Sequence, residues 1–284
     1  MKLGDFMADE PKKNKKYSLI FKRLIKRYNR HHISAYAALM AFFLTLSLFP
    51  FLIILFAILG QLSLDTNLII TAIQLFFPSE VHELVLEYIR QNIILRDYSI
   101  LSLSIVGTLW ASSRGIRALM LSLNMAYEVK ETRNYLFVKL IDVFYTILVI
   151  IGIVFLLTLP NIGREFLLYI DEYLTINQNV FNLINIFKIY ALPISIVLII
   201  TTLYMFLPNK KQSFKKVFPG TIFTVLGWTI LSYLFSIFVN YIANFSVVYG
   251  SLSTIIILML WLYFSSIILI LGGELNSVFK DTVE

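Results

Sequence analysis

The chain contains no cysteine, which excludes disulfides, thiolate metal sites and a cysteine nucleophile. Histidine is scarce, at His31, His32 and His82, and only 14% of the 284 residues are charged, against about 25% in soluble domains. No HExxH, P-loop or GxSxG motif occurs, so nothing points to a hydrolase, a bound nucleotide or a metal centre. The expectation is a non-enzyme with no cofactor, no metal and no catalytic residue. The basic opening, Met1 to Lys16, is not followed by a short apolar segment with a small-residue cleavage site, so a cleaved signal peptide is not expected. No internal repeat is visible, and two inverted halves are therefore not supported.

Apolar residues fill the space left by charge. They make up 58% of the chain, against about 45–50% in soluble domains, and they are concentrated in long runs almost free of charge. About 20 such residues, rising 1.5 Å each, cross a hydrocarbon core of roughly 30 Å. The runs fall at 34–60, 98–117, 140–159, 189–207, 218–241 and 251–273. The predicted fold is all-α: a membrane bundle of six transmembrane helices with amphipathic helices at the interfaces. Residues 1–16 are read as a disordered basic tail, 17–279 as one membrane domain and 280–284 as a second short tail.

Twenty of the 24 lysines and arginines lie before His32, between Arg114 and Lys139, in the 209–216 loop or after the last run. All four segments fall on one side only if the span count is even, and a cationic side is the cytoplasmic one. Both termini are therefore expected in the cytoplasm, and the basic balance needs no nucleic-acid partner. Lys12 to His32 alternates Leu19, Phe21, Leu24 and Ile25 with cations. It reads either as an amphipathic helix on anionic phospholipid or as a plain topogenic tail. Asp65 to Asp97 has helical apolar spacing with Glu80, Glu83 and Glu87 opposite, giving two short helices on the outer surface.

Ionisable residues in a span are the default functional candidates, because unpaired charge in lipid costs about 2.5–3.5 kcal/mol. Arg114 and Arg117, three apart at the inner end of the second span, share a face. They suit either a phosphate headgroup or simple snorkelling. Glu274, at the inner end of the sixth span, is first read as a clasp to Arg114 or Arg117, and second as a proton or cation site. Asp142 is expected to pair locally with Lys139. Asn124, Asn240 and Asn244 either join helices by hydrogen bonds or line a cavity. Gly220, Gly227, Gly272 and Gly273 permit close helix approach and are read as packing positions ahead of gating hinges. Pro50 and Pro193 are helix-break candidates, with Thr45 and Ser47 placed to help the loosened turn.

The segments AYAALMAFFLTLSLFPFLI (Ala35 to Ile53), WASSRGIRALMLSLNMAYEVKETR (Trp110 to Arg133), Pro219-Gly220 and YGSLSTIIILMLWLYFSSIILILGGELN (Tyr249 to Asn276) resemble the YihY/BrkB family of bacterial inner-membrane proteins. The resemblance covers nearly the whole chain from Tyr17. It implies a six-helix multi-pass protein in the bacterial inner membrane. It implies no settled activity, since members have been labelled both ribonuclease BN and virulence factor. Movement of a lipid, another amphipathic substrate or ions is the expectation it carries. The expected function is thus a transporter or flippase-like protein for a lipid or other amphipathic anion. A non-catalytic scaffold for envelope partners is the alternative, and a membrane-bound hydrolase or nuclease comes third. The expected partner is the bilayer, anionic phospholipid above all, and a homo-oligomer is compatible with it.

Overall fold

A computed structural model describes residues 10–61, 98–152, 193–239 and 252–283. The outer segment Asp65 to Asp97, the 161–182 loop, Asn240 and Asn244 lie outside the described residues. Within them the regular secondary structure is all helical: α1 Glu10–Arg30, α2 Ile33–Gln61, α3 Tyr98–Ala126, α4 Tyr135–Gly152, α5 Pro193–Phe206, α6 Phe214–Ile237 and α7 Ser253–Val283. Three of these, α4, α6 and α7 as far as Phe279, are long and apolar enough to cross a membrane unaided; the count is four if the bent α1–α2 pair is taken as one span.

The element boundaries follow from local chemistry. The α1–α2 corner turns by 65° at His32, whose φ of 48° ends one helix while its carbonyl accepts the first N–H groups of the next, from Ala35 and Tyr36. Helix α1 starts at Glu10, inside the stretch read as a disordered tail, so the lysine-rich segment is already coiled. Helix α3 runs unbroken from Tyr98 through the sequence read as a span plus an amphipathic extension. It stops in a Schellman turn: Val129 N–H donates to Asn124 O (2.8 Å) and Glu128 N–H to Met125 O (3.1 Å). Glu128 takes the left-handed position (φ 52°) that glycine usually fills. Helix α7 passes Gly273 and continues to Val283, so residues 280–283 are helix where a short tail was expected.

Around Pro50, within α2, the hydroxyls do not reach the carbonyl that proline frees. Thr45 donates back to Ala41 O (2.8 Å) and Ser47 to Leu44 O (2.9 Å). Pro193 is the first described residue of its segment, so whether it breaks a helix there lies outside the described residues.

Helix α2 packs along α3 and against α7, and α6 packs along α7. The core is centred on Ile33, Ala37, Met40, Leu119, Met120, Leu123, Tyr204, Leu207 and Ile270, all buried. A polar seam runs through it. Tyr204, fully buried, shares a hydrogen bond with Thr224 (2.7 Å) and donates to Leu269 O (2.5 Å), and Thr201 donates to Thr221 (3.2 Å). Such interhelical bonds each contribute about 0.6–2 kcal/mol in lipid. Pro219 loosens the second turn of α6, and the N–H of the next residue, Gly220, is taken by Asn276 Oδ1 of α7 at 2.6 Å. Outside the core, α2, α3, α4 and α6 present exposed Phe, Leu, Ile and Trp side chains, the surface expected of a bundle facing lipid.

Candidate functional site

At the basic end of the bundle three helices bring charge into the interior. The positions Ile20, Leu24, Arg27 and His31 recur every three or four residues, so they share one face of α1 and of the turn that ends it. Ile20 and the partly buried Leu24 pack on Leu275, Val278 and Phe279 of α7, and this contact carries Arg27 and His31 onto Glu274. The Glu274 carboxylate is fully buried. Arg27 Nη1 donates to its Oε2 at 3.2 Å, and His31 Nδ1 lies 2.5 Å from its Oε1. Arg27 Nη1 also donates to Ser277 Oγ (3.0 Å) and to Ala126 O at the end of α3 (2.9 Å), and Nη2 lies 3.6 Å from the exposed Glu128 carboxylate. One guanidinium thus ties α1, α3 and α7 together, using the fork of donors that lysine lacks.

Glu274 therefore ties α7 to the α1 end of the chain, where a clasp between spans through Arg114 or Arg117 was expected. Its partners are Arg27 of α1 and His31 in the turn that follows α1, not Arg114 or Arg117. Arg117 points instead to Asp142, with Nη1 at 4.0 Å from Oδ2. Asp142 was expected to pair with Lys139, whose ammonium lies over the Tyr135 ring at 5.6 Å. Arg114 is exposed, its guanidinium 5.9 Å from the Trp110 ring centre. The three residues singled out for one site, Arg114, Arg117 and Glu274, are thus in three separate environments.

Asn124 joins elements rather than helices in mid-span. Its Nδ2 donates to Glu131 Oε2 (2.9 Å), and its Oδ1 accepts from the backbone of Asn209 (2.8 Å). Glu131 receives a bidentate grip from Arg133, at 2.7 and 2.6 Å. The Arg133 side-chain hydrogen bonds dominate there and pull its pKa from 4.5 down to about 2. Asn209 closes the knot, donating to Lys130 O (2.8 Å) and Thr132 Oγ1 (3.0 Å). The α3–α4 and α5–α6 connections are thereby held together at the same end as the Glu274 cluster. Tyr127 lies nearby; burial pushes its phenol up, opposed by the Asn276 amide and reinforced by the Glu274 charge. A shallow cleft of about 310 Å³ opens beside the cluster, lined by Arg30, His31, Asn124, Met125, Glu128, Val129 and Lys130. Among the described residues, no three histidine or carboxylate side chains are placed to hold a metal ion.

The family model described as virulence factor BrkB matches residues 24–284. A ribonuclease-like protein of Bacillus subtilis, YfkH, is 36% identical over 257 residues, which is 90% of this chain and 94% of that protein. UPF0761 membrane proteins of Histophilus somni and Alteromonas mediterranea are 22% identical over 273 residues and 24% over 277; each alignment spans 93% of this chain, and 91% and 89% of those proteins. No solved structure matches.

Proposed function

The chain belongs to the BrkB family of membrane proteins, and from that premise we propose a transporter or flippase-like role for a lipid or other amphipathic anion. The reading includes six spans, with the four basic segments and both termini in the cytoplasm. The observation that carries it is the fully buried Glu274 held by Arg27 and His31. Ionisable groups inside an apolar bundle are expensive to keep, and in membrane proteins they mark pathways and gates. Here the cluster sits where α1, an amphipathic helix with exposed Phe21 and Ile25, leaves the membrane surface and closes on the bundle. Separating α1 from α7 would open a charged mouth at the cytoplasmic face.

A second reading, a scaffold that organises envelope partners and moves nothing, is favoured by one fact. Arg114, Arg117 and Glu274 do not surround a common cavity, and the Glu274 seam is closed. The two readings part in reconstituted liposomes. Transport predicts lipid scrambling or anion flux above protein-free vesicles, with a changed rate in Glu274→Gln; a folded protein that moves neither leaves the scaffold. The cysteine-free chain also permits a clean topology measurement. Ser213→Cys should react with a membrane-impermeant maleimide only after the inner membrane is opened. Labelling in intact cells whose outer barrier alone is breached would overturn the six-span arrangement.

A further inference from the structure

We propose that Arg114 and Trp110 form a lateral site on the lipid-facing side of α3 that takes the phosphate of a single membrane phospholipid. This deepens the proposed function by placing a headgroup site for its substrate class, and it rests on that reading for its transport meaning though not for binding. The first observation is depth. A Cβ at the adjacent Gly115 would lie 3.4 Å from Leu44, which is eleven residues into α2, or about 16 Å from its basic end at 1.5 Å per residue. Exposed apolar residues continue between Arg114 and that end: Leu39 on α2, and Tyr135, Leu136, Phe137 and Leu140 on α4, all preceding the Asp142 that lies level with Arg117. Arg114 is thus inside the apolar belt, not at its edge.

The second observation is direction. A buried cation near an interface normally snorkels towards water. The Arg114 guanidinium does the opposite, lying over the Trp110 ring one turn farther from the basic end. Helical side chains lean towards the N-terminus, and the indole face offers a cation the attraction of its quadrupole. Trp110 is itself 52% exposed and is braced from behind by Phe43, ring centres 6.1 Å apart and edge to face. The third observation is the lack of a counter-charge. Among the described residues, no ion pair reaches Arg114. An exposed, inward-held guanidinium in hydrocarbon calls for an anion that can arrive laterally with its own acyl chains, and its planar fork matches a phosphate.

The test is native mass spectrometry of the detergent-purified full chain with phosphatidic acid, phosphatidylglycerol, diacylglycerol or inorganic phosphate added. Binding of both phospholipids, with neither diacylglycerol nor free phosphate retained, is the expected result. Arg114→Ala should weaken phospholipid binding about tenfold, equivalent to about 1.4 kcal/mol. Arg114→Lys, which keeps the charge without the fork, should fall in between, and Lys210→Ala, which removes a loop cation, should bind as the native chain does. Because Arg114 is exposed, these variants should elute from gel filtration as the native protein does. Equal binding by Arg114→Ala, equal retention of diacylglycerol, or a dimer cross-linked through Ser113→Cys that binds no lipid would overturn the site. Flux retained in Arg114→Ala with lipid binding lost would sink this site's part in transport and leave transport itself standing. Lipid binding with no flux would do the reverse.

Discussion

Arg27→Ala is expected to lower the stability of the folded protein by roughly 3–5 kcal/mol, the range for removing one partner of a buried ion pair. The Coulombic attraction in the native pair is offset largely by the cost of desolvating both charges, so the pair itself contributes little net stability. The asymmetry appears on truncation. Without Arg27, the fully buried Glu274 keeps only His31, while Ser277 Oγ loses a donor and the end of α3 loses the group that satisfies Ala126 O. Arg27→Lys should recover only part of the loss, since one ammonium cannot span three acceptors on two helices with the same geometry. Glu274→Gln should be milder than Arg27→Ala, because the amide oxygen can still accept from Arg27 and no buried anion remains. The double substitution Arg27→Met with Glu274→Leu, which removes both charges and keeps volume, should be the most stable of the variants. Thermal unfolding in detergent, followed by fluorescence-detected gel filtration, reads the order. An Arg27→Ala protein as stable as the native one would mean that α1 is not docked on α7.

Why this cluster was half legible in sequence is a matter of reach. Glu274 stood out because it ends a long uncharged run, and a clasp was the natural reading. The sequence points to cations in the spans as its partners, because Arg27 sits in a segment so rich in lysine and arginine that topology alone accounts for its composition. The signal was nonetheless present: Ile20, Leu24, Arg27 and His31 share one helical face, and an arginine and a histidine continuing an apolar stripe are candidates for burial. The helices themselves were readable because hydrocarbon leaves the backbone no other way to satisfy its own groups. Their ends were less so. The docking of α1 on α7 rests on packing of Ile20 against Leu275 and Val278, a tertiary contact between residues more than 250 apart that no local pattern encodes. Asn124 shows the same limit. Its place on α3 suggested a mid-helix polar bond, whereas the Schellman turn delivers it to the backbone of a distant loop at Asn209.

Gly272→Ala is expected to destabilise the bundle by more than about 3 kcal/mol, beyond the usual 1–3 kcal/mol for overpacking a core. Helices α6 and α7 cross so closely at this point that a methyl group on Gly272 would collide with Thr224 Oγ1, Tyr204 Oη and the carbonyl of Gly220. Gly220→Ala should be equally severe, as its methyl would meet the carbonyl of Gly272 and the Asn276 side chain, and would prise apart the 2.6 Å bond from Gly220 N–H to Asn276. In both cases the obstacle includes backbone, which yields only if the whole helix shifts. The other glycines provide the contrast. At Gly273 the obstacle is the tip of the Leu123 side chain, which can change rotamer, and at Gly227 a Cβ would lie 3.0 Å from Ile268 Cγ2. At Gly107 the nearest atom, on the Pro50 ring, is at an ordinary 3.7 Å. Stability should therefore fall in the order Gly107→Ala, Gly227→Ala, Gly273→Ala, then Gly220→Ala and Gly272→Ala together, measured as the fraction of folded, monodisperse protein after heating in detergent. A Gly272→Ala protein that melts with Gly107→Ala would show that the α6–α7 crossing is looser than the carbonyl contacts require, and would turn those glycines from packing positions into hinges.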